Sequence, residues 1–237
     1  MTEMYIPYPD GTVATYVATP AREGPWPGVV VIHDASGMTT DLRRQADWLA
    51  SAGYLAAAPD LLNGGSILKC LRQIFFDYLT WESQVFRQIE AVRGWLAGQE
   101  RCTGKIGVIG FCMGGSFALM LAPGRGFAAS SVNYGQLPKD AERLLRDACP
   151  IVGSYGARDR SLRGAAARLE QALTAAGVPH DVKEYPDAGH GFLNNHRSAE
   201  VPVLLRVMGS FVHTAYHEPS ARDARRRIEA FFAIHLP

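Results

Sequence analysis

The stretch Gly110-Phe111-Cys112-Met113-Gly114-Gly115 sets a thiol among glycines. Before it, Ile106-Gly107-Val108-Ile109 reads as a short buried strand, and after it Ser116 to Ala122 reads as a helix. Strand, G-x-C-x-G-G, helix is the pattern of a nucleophile elbow with sulfur in place of the serine oxygen. The glycines have a steric reason, because so sharp a turn leaves no room for side chains two residues either side of the nucleophile. The thiol also stands at a helix N-terminus, where free N–H groups and the dipole favour negative charge. A free thiol pKa of ~8.5 falls in such a place, and thiolate is the reactive form. The Met113 N–H is positioned to hold a developing oxyanion. A second donor is expected from the loop after the strand Gly28 to Ile32, with the Ala35 N–H as the candidate.

A nucleophile of this kind needs a histidine, and an acid to fix the ring's tautomer. In folds with this elbow the chain order is nucleophile, acid, histidine. Downstream, Ile151 to Tyr155 reads as a strand, followed by Gly156-Ala157-Arg158-Asp159. Val182 to Tyr185 reads as another, followed by Pro186-Asp187-Ala188-Gly189-His190-Gly191-Phe192. Asp159 and His190 thus each lie in a loop just past a strand, in the expected order; Asp187 is the fallback acid. The other histidines fit less well. His196, His213, His217 and His235 follow no strand, His180 opens one, and His33 precedes the nucleophile.

The elements that must position these groups alternate along the chain. Met4 to Tyr8 and Thr12 to Ala18 flank Pro9-Asp10-Gly11, which predicts a hairpin at a sheet edge. Gly28 to Ile32, Tyr54 to Ala58, Ile106 to Ile109, Ala128 to Asn133, Ile151 to Tyr155 and Asp181 to Tyr185 read as further strands. Helical spacing joins Leu42, Ala46 and Leu49 behind a Thr40 cap, then Val85 to Leu96, then Leu162 to Ala176 up to Gly177. Ser220-Ala221-Arg222-Asp223 resembles a cap for a last helix bearing Ile228 and Phe231. Strands alternating with helices predict a mostly parallel sheet with helices on both faces. Ligands then bind beyond the carboxyl ends of the strands. No linker or repeat divides the chain, so one α/β domain over 1–237 is expected. Residues 63–80 and 194–219 read as irregular additions able to cover the site.

Bulk properties exclude several other roles. The 24 Lys and Arg nearly balance 23 Asp and Glu, so no one-signed field draws nucleic acid or an anionic membrane. Hydrophobic residues make up 47%, enough for a sizeable core. The N-terminus shows no secretory pattern and no apolar run approaches a bilayer span, which predicts a cytoplasmic protein. Of the four cysteines none forms C-x-x-C, so no metal site is expected; Cys70, Cys102 and Cys149 read as small buried hydrophobes.

These residues resemble the dienelactone hydrolase family, the carboxymethylenebutenolidases, over most of the chain. The likeness is carried by Val31-Ile32-His33-Asp34, Gly53-Tyr54, Pro59-Asp60-Leu61, the Gly-Phe-Cys-Met-Gly-Gly elbow, Asp159, and Gly189-His190-Gly191-Phe192. It implies an α/β-hydrolase fold and a Cys112–His190–Asp159 triad. It also implies cleavage of enol-lactones or related esters without a cofactor. By the same resemblance Asp34 stands where family members carry an acidic residue that helps activate the thiol. The family binds a substrate carboxylate with arginines, one of them four residues after the histidine; here that position is Asn194. Arg72 and Arg197 are the candidates to replace it, and Tyr134 and Phe192 complete the expected substrate contacts. The expected partner is a small-molecule ester or lactone, with the protein a monomer or homodimer. Two other classes compete: a non-catalytic ligand-binding homologue, and a thiol-redox protein using Cys112.

Overall fold

The computed structural model describes residues 2–62 and 84–237, with only the backbone described at 208, 210 and 211. Arg72 and residues 63–80 therefore lie outside the described residues. Eight strands form one sheet: β1 (Thr2–Tyr8), β2 (Gly11–Ala18), β3 (Trp26–Ile32), β4 (Leu55–Pro59), β5 (Cys102–Phe111), β6 (Ala129–Asn133), β7 (Ile151–Gly156) and β8 (His180–Tyr185). Their order is β1-β2-β4-β3-β5-β6-β7-β8. The β1–β2 hairpin runs antiparallel at one edge, and every pair from β4 through β8 is parallel. All residues of β3, β4 and β6 are buried; β3 and β4 are apolar throughout, as strands covered on both faces require, whereas β6 buries Ser130, Ser131 and Asn133 as well.

The helices are α1 (Thr40–Ser51), α2 (Gln84–Ala97), α3 (Met113–Leu121), the single turn α4 (Ala141–Leu144), α5 (Ala165–Ala176), α6 (Val203–Phe211) and α7 (Glu218–His235). Two glycines show that they cover both faces. A Cβ on Gly28 would meet Ile106 and Leu96 of α2, whereas a Cβ on Gly107 would meet Leu236 just past α7. Ile106 and Gly107 are successive residues of β5 and so face opposite ways. Thus α2 lies on one face and the end of α7 on the other. Trp48 bonds Glu229, so α1 lies beside α7, and the Phe86 and Phe117 rings meet edge to face 5.5 Å apart, joining α2 to α3. No helix among the described residues is long and apolar enough to cross a membrane.

Helix starts depart from the sequence reading in instructive ways. Thr39, not Thr40, caps α1, its side chain accepting from the Leu42 N–H at 3.3 Å. Leu162 lies in a separate 3-10 turn, Arg160–Leu162, because Gly164 adopts a left-handed conformation that breaks the helix before Ala165. Helix α7 begins two residues before Ser220, with Pro219 in its first turn, where a missing N–H costs nothing. Ser220 instead bonds the ring of His217, the preceding cap residue, at 2.8 Å. Residues 194–219, expected to be irregular, contain α6.

Candidate active site

At the end of β5 the chain turns directly into α3, and Cys112 is the turn. Its backbone sits at φ 54°, ψ −113°, a conformation a residue with a Cβ rarely adopts. Two backbone bonds hold it there: the Cys112 N–H donates to the Asn133 carbonyl at 3.0 Å, and the Ser116 N–H donates to the Cys112 carbonyl at 3.1 Å, which also accepts from the Ser116 hydroxyl at 3.4 Å. The flanking glycines are required by contact. A Cβ on Gly110 would lie 1.8 Å from the Gly114 carbonyl oxygen, and one on Gly114 would lie 2.5 Å from the Ile32 carbonyl oxygen. The elbow is therefore wedged against the end of β3, which brings the 33–37 loop beside Cys112. Neither the Ala35 N–H nor the Met113 N–H donates to a backbone or side-chain acceptor among the described residues.

His33 holds the base of that loop. Fully buried, its Nδ1–H donates to the Asp34 carbonyl at 2.6 Å while Nε2 accepts from the Leu61 N–H at 3.1 Å. That pairing uses both nitrogens of a neutral ring, and burial lowers its pKa despite the nearby Asp34 and Asp60. Its role is structural, in keeping with its place ahead of the nucleophile in the chain.

The histidine and acid converge from two later crossovers. Asp159 follows β7 and is almost wholly buried. Its Oδ1 accepts from the Ser161 N–H at 2.9 Å and the Ser161 hydroxyl at 2.6 Å, and its Oδ2 meets His190 Nδ1 at 2.5 Å. Burial pushes the Asp159 carboxyl upward, but the bonds from His190 and Ser161 outweigh it and hold the pKa below the usual range. His190 follows β8, in a loop pinned by its own N–H to the Val212 carbonyl at 3.2 Å. Its ring is also within hydrogen-bonding reach of the Cys112 thiol. Burial disfavours the imidazolium, yet the Cys112 and Asp159 charges together raise its pKa to about 10. Asp187, the fallback acid, instead pairs with Arg158 at the surface, 3.0 Å away.

The expected substrate contacts stand otherwise. Phe192 is fully buried, and the Tyr134 ring meets both it and the His190 ring edge to face, at 5.6 and 5.3 Å. Tyr134 donates its hydroxyl to Asn194 Oδ1, and Asn194 Nδ2 donates to Asp41 Oδ2 at 2.8 Å. Both ends of the Asn194 amide are thus engaged in the interior. Burial first, then the charges of Asp34, Asp41 and Cys112, keeps the Tyr134 hydroxyl protonated well above its ordinary range. These three residues form the floor under His190. Arg197 is exposed.

Asp34 meets a residue the motif reading set aside. Its Oδ1 accepts from the Ser36 N–H at 2.7 Å, and its Oδ2 pairs with His196 Nε2 at 2.6 Å. No strand precedes His196, so position alone does not single it out. The available signal was a carboxylate next to a buried strand end, which needs a donor. Among the described residues no group of three His, Cys, Asp or Glu side chains could hold a metal ion.

The model described as "Dienelactone hydrolase family" matches residues 13–236. A "Putative carboxymethylenebutenolidase" of Methylorubrum extorquens is 28% identical, over 97% of this chain and 79% of that protein. Its namesake in Escherichia coli K12 is also 28% identical, over 96% of this chain and 84% of that protein. Among solved structures, the "Putative Dienelactone Hydrolase from Klebsiella pneumoniae" superimposes with a TM-score of 0.79 at 27% identity. It covers 98% of this chain and 97% of its own.

Proposed function

The chain belongs to the dienelactone hydrolase family, whose members act on esters and lactones, and from that premise we propose a Cys112–His190–Asp159 triad working through a thioacyl-enzyme. The observation that carries this reading is a single imidazole that bonds Asp159 through Nδ1 and lies within reach of the Cys112 sulfur. The ring's raised pKa favours its protonated form beside Asp159 and Cys112.

The Cys112 sulfur attacks the acyl carbon, and the carbonyl electrons move onto oxygen. The Met113 and Ala35 N–H groups receive that oxyanion. The carbon–oxygen bond to the leaving group then breaks, and His190 hands its proton to the departing alkoxide or enolate. In the second half, neutral His190 takes a proton from water as the hydroxide adds to the thioester carbon. Collapse of that intermediate releases a carboxylic acid and restores Cys112. Asp159 stays ionised throughout and holds Nδ1, so that Nε2 is the working nitrogen.

The substrate is an ester or lactone recognised without an arginine at position 194. Asn194 is neutral and both ends of its amide are occupied, so it supplies no bidentate grip on a carboxylate. A panel of lactones and esters, neutral and carboxylate-bearing, tests this. Turnover of an activated ester such as p-nitrophenyl acetate should vanish in Cys112→Ala. Wild-type turnover in that variant ends the covalent mechanism.

A further inference from the structure

The stretch from Asn194 to Glu200 is sewn to the loop after β3 and the start of α1 by side-chain bonds. Asn194 Nδ2 and the Asn195 N–H donate to the two oxygens of Asp41, at 2.8 and 3.0 Å. Glu200 Oε1 accepts from both the N–H and the hydroxyl of Thr40, at 3.0 and 2.5 Å. Between these anchors His196 reaches back with both nitrogens, Nε2 to Asp34 at 2.6 Å and Nδ1 to the Thr39 hydroxyl at 3.3 Å. Asp41 and Glu200 are held at the helix start, but the Asp34 bond is different. Asp34 belongs to the loop whose next residue is Ala35, and its other oxygen receives the Ser36 N–H.

We infer that His196 is a positioning residue that fixes the oxyanion loop through Asp34. With Oδ1 on Ser36 and Oδ2 on His196, the Asp34 side chain folds over its own loop as a turn, and the imidazole locks that turn from outside. The Ala35 N–H lies within the locked turn and is left without an acceptor among the described residues. An oxyanion donor must point at where charge will develop before it develops, so the rigidity of its loop enters the rate directly. The same clasp joins the loop carrying His190 to the loop carrying Ala35, so base and oxyanion donor keep one spacing. Burial opposes a charge on His196, while Asp34, Asp41 and Glu200 around it raise its affinity for a proton, which strengthens the clasp.

The inference rests on the oxyanion role proposed for Ala35, and the test separates the two readings. Two rates are measured at Cys112 in the full chain: burst-phase acylation by p-nitrophenyl acetate, and alkylation by iodoacetamide. Acylation passes through an oxyanion; alkylation is a displacement at carbon and does not. In His196→Ala, acylation should fall about 10- to 100-fold, part of the ~100- to 1,000-fold that loss of one oxyanion donor costs. Alkylation should stay within about twofold of wild type, because nothing in that reaction uses the donor. His196→Gln, which sets an N–H near the place of Nε2, should restore most of the acylation rate. His196→Asn, too short to reach Asp34, should not, and this pair carries the test should the alanine variant fail to fold. An unchanged acylation rate in His196→Ala overturns the inference, as do equal rates in Gln and Asn variants or a parallel loss of alkylation. Wild-type protein that forms no acyl-enzyme at all overturns the hydrolase mechanism instead.

Discussion

Cys112 is held at a positive φ that its neighbours must enforce, and this sets the partly buried side chain at the N-terminal end of α3. The residues around it divide by what they do with charge. In the proposed mechanism Asp159 remains ionised beside His190, and its three bonds hold the carboxylate in place. Asp159→Asn should keep the fold and lose activity about 1,000- to 10,000-fold, because an amide can hold the wrong ring tautomer. The check is kcat with p-nitrophenyl acetate, alongside an unchanged circular dichroism spectrum. Tyr134→Phe removes the bond to Asn194 and leaves a buried amide oxygen unpaired. It should destabilise the protein by about 1–3 kcal/mol, read from the urea midpoint. A neutral outcome there means that Asn194 finds another donor.

At the scale of elements, the elbow works because β5 and α3 approach more closely than side chains allow. Gly110→Ala sets a methyl group 1.8 Å from the Gly114 carbonyl oxygen, which no rotamer relieves because both atoms are backbone or Cβ. Stability should drop by at least about 3 kcal/mol, the upper range for overpacking, and activity should be lost with it. Urea denaturation measures the first; an active, equally stable variant contradicts the contact. Asp159 and His190 each stand on the loop after a parallel strand, and β7 and β8 are neighbours in the sheet. Asp159 and His190 therefore meet although 31 residues separate them. The loop carrying Ala35 comes from β3 on the other side of β5, so the three strands bracket Cys112.

For the molecule as a whole, the Asp159–His190 pair of the proposed triad couples stability to pH. The pKa of His190 is raised from 6.5 to about 10 in the folded chain. Its contribution is therefore complete below 6.5 and is lost as pH climbs through about 10. Asp159 runs the opposite way: its contribution is present above the ordinary 3.8 and disappears as pH falls through its lower native value. Thermal midpoints should accordingly decline between pH 6.5 and 10, and His190→Gln should flatten that decline. An identical slope in wild type and variant removes His190 as its source.

Much of this was legible in the chain itself. The central strand β3 shows as a β-branched run because burial on both faces favours apolar residues there, and the elbow shows because backbone contact demands glycine at Gly110 and Gly114. Asp159 and His190 could be expected to meet because a parallel sheet delivers the loops after its strands to one edge. His196 escaped that logic. It lies after no strand and owes its place to bonds with Asp34 and Thr39, 162 and 157 residues away. The ends of helices escaped it too: α7 starts at Glu218 because proline suits a first turn, while Ser220 found a partner in His217 instead of capping. Local pattern determines what a segment can be, since its forces act between near neighbours. Which buried oxygen receives which donor depends on groups that only the folded chain brings together, and there Asn194 became a floor and His196 a clasp.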